Sequence, residues 1–274
     1  MYASKLEKLR ERRLDPLIKS AGLYEGYNQI QEDNAIKYAL GAMYPVDPIY
    51  TQQSYKEGEK VRQNLSTELP KNNICTDFEY QGSVTNNTHI VARSDIDLLT
   101  LRAEFITVEP PQKAEPPYLG NPINDLLTLR NTATAIIESY FPDSYIDTSG
   151  SKSISVSGGR LRIKVDIVPS NWYRTNNYVD TGLPFYKGVC VLDAKKLDVI
   201  KNLPFLHNKR VDDKDILFQG NIKKLIRLLK SLKYDATDKI NLSSYDITAI
   251  IYNMLGECLQ VPRNYELKLM ENCW

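Results

Sequence analysis

Polar and apolar residues alternate from Arg160 to Ile167, in the run Arg-Leu-Arg-Ile-Lys-Val-Asp-Ile. A period of two predicts a half-buried β-strand with Leu161, Ile163, Val165 and Ile167 on its inner face and Asp166 on the polar one. Asp95-Ile96-Asp97-Leu98 repeats the alternation. Alternate side chains of a strand share a face, about 6.6–7 Å apart along the backbone. Asp95 and Asp97 therefore project together while Ile96 and Leu98 enter a core. Strands are predicted over 77–81, 95–101, 145–149, 153–157 and 160–168, with Gly158-Gly159 as the hairpin turn into the last. Elsewhere the period is helical. Val61, Leu65 and Leu69, four residues apart, predict a helix capped by Thr51 and ended by Pro70, with Pro45 and Pro48 separating it from a helix over 35–43. Leu126, Leu127, Ala133, Ile136 and Ile137 mark a helix over 123–140, behind an extended loop carrying Pro110, Pro111, Pro116 and Pro117. Further helices are predicted at 195–203, 219–233, 244–259 and 263–271.

Helices, then strands, then helices predict an α+β fold, a mixed sheet backed by helices with a second helical lobe. The expected divisions are N-terminal helices over 1–74, packing on both lobes, a catalytic core over 75–190, and a helical lobe over 191–274. The last would close a cleft of the kind that holds small molecules at domain junctions.

If the two acidic strands pair, Asp95, Asp97 and Asp166 converge on one surface and repel one another unless a divalent cation neutralises them. The economical reading is a Mg²⁺ site. Asp-x-Asp alone is common in surface turns, but here Gly82-Ser83 precedes it, and a Gly before a small hydroxyl residue lets the backbone approach a phosphate. Triphosphate oxygens beside two carboxylate-held ions make an in-line phosphoryl-transfer site. That chemistry is nucleotidyl transfer.

These residues resemble a known family. Gln81-Gly82-Ser83, then Asp95-Ile96-Asp97, then Val165-Asp166-Ile167-Val168-Pro169 resemble the polymerase-β-type nucleotidyltransferase signature. Within it the chain looks like the CD-NTases, bacterial relatives of cyclic GMP-AMP synthase that serve anti-phage (CBASS) signalling. The resemblance implies a polymerase-β-like core and a template-independent enzyme. From nucleoside triphosphates it would make a cyclic di- or oligonucleotide messenger, read by a downstream effector. It implies Asp95, Asp97 and Asp166 as catalytic ligands of two Mg²⁺ ions, with Mn²⁺ able to substitute, and Gly82 and Ser83 on the donor triphosphate. It implies a helix beginning at Asn86-Asn87-Thr88, where Asn87 stands at a position often held by Gly. In the 219–233 helix, Ile222, Leu225, Ile226 and Leu229 form one face, and Lys223, Arg227 and Lys230 an adjoining basic stripe. On pattern alone that stripe is a solvated helix face; the resemblance makes Lys230 a triphosphate ligand. It likewise implies phosphate contact by Ser244, which also suits a helix cap, and base stacking by Tyr245. The Cys/His zinc insertion that grips DNA in the animal enzyme has no counterpart, so activation by double-stranded DNA is not expected.

Composition narrows the partners. A net charge of +1 without a long basic run does not advertise a nucleic-acid coat or a membrane surface. Cys75, Cys190, Cys258 and Cys273 are widely spaced, fitting reduced thiols in a cytoplasmic setting, and Met1 to Arg13 lacks the apolar core of a signal peptide. With only His89 and His207, a histidine-rich metal site is excluded. The same carboxylates would also serve a mononucleotidyltransferase acting on a tRNA, a protein or an antibiotic, and a nucleotide-binding regulator without turnover would keep the same fold.

Overall fold

The alternating segments become strands of one mixed sheet. The computed structural model describes residues 2–15, 31–262 and 265–273. In order these form α1 (Tyr2–Arg13), α2 (Asn34–Met43), α3 (Pro48–Glu68), β1 (Thr76–Gln81), β2 (Ile96–Val108), α4 (Pro122–Tyr140), β3 (Tyr145–Asp147), β4 (Ile154–Gly158), β5 (Leu161–Arg174) and α5 (Asn176–Thr181). They continue with β6 (Gly188–Asp193), β7 (Asp198–Asn202), α6 (Pro204–Leu217), α7 (Asn221–Tyr234), α8 (Ser244–Tyr252), α9 (Gly256–Leu259) and α10 (Glu266–Cys273).

Two compact units result. The sheet unit holds Gln53–Thr85 and Asp95–Lys209. Its strand order is β1-β2-β5-β4-β3, with β6 pairing β5 and β7 pairing β6. Among the described residues, only β2 and β5 run parallel. Ile96, Leu98, Ile154, Val156, Val165 and Ile167 pack beneath Val61, Leu65 and Leu69 of α3 and Leu126, Leu129 and Ala133 of α4. The other face buries Leu99, Leu101, Val168, Val189 and Val191. With a period of two, Asp97 and Asp166 share this second face with Leu99 and Val168, where its apolar stretch begins.

Three helix expectations fail here for identifiable reasons. The predicted helix over 195–203 is the turn and second strand of the β6–β7 hairpin, in which Asp193 Oδ1 accepts from the Lys195 and Lys196 amides at 3.3 and 3.2 Å. Thr51 lies inside α3. The helix starts at Pro48, and Asp47 Oδ1 accepts from the Ile49 amide at 2.9 Å. Pro204 likewise opens α6, a helix not among those expected. Proline is tolerated in the first turn because its missing N–H has no helical partner there. The expected boundaries at 74/75 and 190/191 do not follow the compact units, since most of α3 and the whole β6–β7 hairpin belong with the sheet.

The helical unit holds Met1–Gln52, Asn86–Ser94 and Arg210–Trp274. Leu6 and Leu9 of α1, Tyr38, Ala42 and Met43 of α2, and Leu228 of α7 form one cluster. An adjoining face of α7 (Ile222, Leu225, Ile226) packs with Val211, Ile251, Leu259 and Leu269. A buried ion pair ties these helices: Arg12 Nη1 lies 2.6 and 2.5 Å from the Asp235 carboxylate oxygens, and the Tyr38 hydroxyl donates to Asp235 Oδ2 at 2.6 Å. Their side chains are only 6% and 1% exposed. Arg12→Ala strands a buried carboxylate, so urea unfolding should show a loss of about 3–5 kcal/mol. Among the described residues, no helix is long and apolar enough to cross a membrane.

Candidate active site

The parallel register sets Asp97 of β2 directly beside Asp166 of β5. Gln81 lies opposite Asp97 on β1, and Ser155 opposite Asp166 on β4. A single polar row, Gln81–Asp97–Asp166–Ser155, therefore crosses four strands. The Ser155 hydroxyl donates to Asp166 Oδ1 and fixes that carboxylate. Asp95 lies just before the first residue of β2, rather than inside the strand as expected. It reaches the cluster through Lys164, whose Nζ is 2.6 Å from Asp95 Oδ2 and 3.2 Å from Asp166 Oδ2. Lys164 and Ser155 were not singled out from the sequence, and Gln81 only as the start of the Gly-Ser motif. Alternation places Lys164 on the Asp166 face, but which cation meets which carboxylate depends on strand register.

Gly82 closes the site from the other side. Its φ is +92°, and a Cβ built on it would lie 2.5 Å from Asp97 Oδ2. Both facts require glycine. Ser83 follows, half-buried, in a turn. The Gly82 carbonyl accepts from Thr85 Oγ1 at 2.7 Å, and Asn208 Nδ2 donates to the same hydroxyl at 3.0 Å. No helix begins at Asn86-Asn87-Thr88; the stretch is a turn with Asn87 at φ +56°, a left-handed conformation that Asn tolerates.

Burial, then the neighbouring Asp166 and Asp95 charges, push the Asp97 carboxyl up to about 7, against the opposing pull of Lys164. The donor set of hard carboxylate oxygens suits Mg²⁺ or Mn²⁺. Among the described residues, no three acidic, histidine or cysteine groups already enclose a cation position; the Lys164 ammonium stands among them instead. The raised Asp97 value has a consequence for stability. Between its unfolded value near 3.8 and about 7, the folded protein binds the extra proton, so metal-free stability falls as pH rises through that window. Asp97→Asn removes the effect. Thermal melts without metal should show the variant's Tm overtaking that of the wild type as pH climbs from 4 to 8.

The remaining predicted ligands lie in the helical unit. Lys230 is buried, not solvated: its Nζ donates to the Thr88 carbonyl at 2.8 Å, and burial, then Arg227 and Lys233, lower it to about 8. Arg227 is equally buried, donating to the Met43 and Asn87 carbonyls at 2.7 and 2.8 Å. Together they hold the Asn87–Thr88 turn. Lys223 pairs with Asp212 at 2.6 Å. The cap of α8 is Ser243 in a capping box with Asp246, so Ser244 is exposed in the first turn without that duty. Tyr245 beside it is 65% exposed. Arg93, two residues before Asp95, meets Asp15 at 2.6 Å.

No family model matches the chain. Relatives do. A cyclic dinucleotide synthase, CdnE, of Yersinia aleksiciae is 36% identical over 247 residues, covering 89% of this chain and 64% of that protein. A c-di-GMP synthase of Lachnospiraceae bacterium (strain RUG226) is 32% identical over 248 residues, covering 81% of this chain and 70% of the relative. The chain belongs to the CD-NTase family. This CD-NTase thus spans slightly under two thirds of the first relative's length. A solved STING-associated CdnE c-di-GMP synthase from Flavobacteriaceae sp. superposes with a TM-score of 0.80 at 25% identity, covering 99% of this chain and 83% of that one. The α+β, polymerase-β-like fold expected from the motifs is therefore the fold of this CD-NTase. Divalent metals are in general use in its family.

Proposed function

We propose that this CD-NTase is a metal-dependent, template-independent nucleotidyltransferase that joins nucleoside triphosphates into a cyclic dinucleotide with release of pyrophosphate. The observation that carries the reading is the Asp97–Asp166 pair on parallel strands, with Gly82 at φ +92° closed against Asp97. Asp95, Asp97 and Asp166 would hold two Mg²⁺ ions, or Mn²⁺ in their place. When bound, these neutralise the donor triphosphate and leaving pyrophosphate and lower the pKa of the attacking ribose hydroxyl. The chain's own residues do the positioning. Ser155 fixes Asp166, and Gly82 lets the backbone approach the triphosphate beside Ser83. Lys230, Ser244 and Tyr245 are assigned to the nucleotide, the first two to phosphate and Tyr245 to a base. Catalysis then comes mainly from positioning and charge neutralisation at a loose phosphoryl transition state.

The names of the relatives favour guanine: c-di-GMP synthases stand among them, so GTP is the substrate to test first. The Flavobacteriaceae protein is STING-associated, which supports a separate cyclic-dinucleotide-reading effector in a cytoplasmic anti-phage circuit. Activation by double-stranded DNA is not part of the proposal. The test is incubation of purified protein with all four NTPs and Mg²⁺ or Mn²⁺, phosphatase treatment, and mass spectrometry of what survives. A phosphatase-resistant cyclic dinucleotide is expected. Labelled nucleotide on RNA or protein without such a product would favour single-nucleotide transfer, and tight triphosphate binding without pyrophosphate would favour a regulator.

A further inference from the structure

We propose that Lys164 is the resident counter-ion of the metal-free site, occupying the place of the divalent cation and leaving when it binds. The inference rests on the proposed metal-binding role of Asp95, Asp97 and Asp166. Its ground is geometric. One ammonium bridges two of the three carboxylates, Asp95 from the loop before β2 at 2.6 Å and Asp166 from β5 at 3.2 Å. Lys164 stands two residues before Asp166 on the same strand, so the shared face points it at the site whenever β5 forms. No rearrangement is needed to put it there.

The charge arithmetic argues for a placeholder and against a permanent partner. Once all three carboxylates ionise, one ammonium leaves two negative charges, so Lys164 only partly neutralises the cluster. A divalent ion among the same oxygens neutralises more charge and accepts more donors. Lys164 can also leave cheaply: its side chain is 36% exposed and that of Asp95 47% exposed, so the ammonium swings into water on a flexible stem without opening the core. The departing ammonium is then available to an incoming polyphosphate. Lys164 is in this sense a positioning residue: it holds the carboxylates together before the ion arrives and competes with an ion arriving without nucleotide.

The test measures ion binding directly. Mn²⁺ is titrated into wild-type, Lys164→Gln and Asp97→Asn protein without nucleotide, with free Mn²⁺ followed by electron paramagnetic resonance, and Tm is recorded with and without the ion. Removing a competing unit charge within about 4 Å of the bound ion should tighten Mn²⁺ at least about fivefold in Lys164→Gln. The metal-free Tm of that variant should fall, because its carboxylates lose their neutralising partner, while its Mn²⁺-induced rise in Tm should exceed that of the wild type. A merely structural surface ion pair would lower Tm without tightening the ion. Circular dichroism checks that the half-exposed strand position tolerates glutamine, and Lys164→Met provides a second neutral variant. If Asp97→Asn abolishes Mn²⁺ binding but the neutral Lys164 variants bind it no more tightly than wild type, the counter-ion role is overturned and the metal site stands. If wild-type protein shows no Mn²⁺ binding that depends on Asp97, the site assignment fails and the counter-ion role with it.

Discussion

Replacing Asp95 and Asp97 together by alanine is expected to abolish nucleotide-dependent pyrophosphate release, with a loss of at least about a thousandfold given what removing single transition-state charge contacts costs. The fold should survive. Asp95 is half exposed, and Asp97 is a half-buried carboxyl whose charged form is disfavoured by burial and by its acidic neighbours. Deleting both relieves repulsion in the metal-free protein, so Tm near neutral pH should hold or rise while activity vanishes. That opposition of sign separates a catalytic loss from unfolding. Pyrophosphate release persisting in the folded double variant would contradict the site.

The second large effect is expected at Gly82. An alanine there meets two penalties: a backbone at φ +92°, which disfavours any Cβ, and a methyl 2.5 Å from Asp97 Oδ2. Left-handed backbone alone costs roughly 1–2 kcal/mol, which a folded domain absorbs. The contact cannot be absorbed in place, so the carboxylate must rotate out of its row with Asp166. Displacing a reacting or ligating group by about an ångström costs on the order of a hundredfold in rate. Gly82→Ala should therefore lose about that much in kcat, read by pyrophosphate release, with a far-ultraviolet circular dichroism spectrum unchanged. Wild-type turnover in this variant would remove the Gly-Ser step from the mechanism.

How legible the site was in the sequence follows from which interactions are periodic. The Asp166 strand, the inward faces of Ile96 and Leu98, and the four-residue spacing of Val61, Leu65 and Leu69 are local patterns, and each appears in the core as expected. The β6–β7 hairpin was hidden because Leu197, Ile200 and Leu203 fall three residues apart, as on a helix. What decides that segment is cross-strand pairing of Val199 and Ile200 with Leu192 and Val191. Pro48, expected to separate two helices, in fact opens α3, a distinction set by capping geometry. The amphipathic face of α7 was visible, yet the burial of Arg227 and Lys230 against backbone carbonyls was not. Likewise, the Lys164 bridge follows from pairing register, which no single strand encodes.

The most direct measurement is anomalous scattering from Mn²⁺ in crystals of the protein with a non-hydrolysable GTP analogue. The account predicts a peak bonded to Asp97 and Asp166, with Asp95 turned toward it, the triphosphate beside Gly82 and Ser83, and Lys164 released from both carboxylates. Manganese bound elsewhere, with Lys164 still bridging Asp95 and Asp166 under a bound nucleotide, would contradict it.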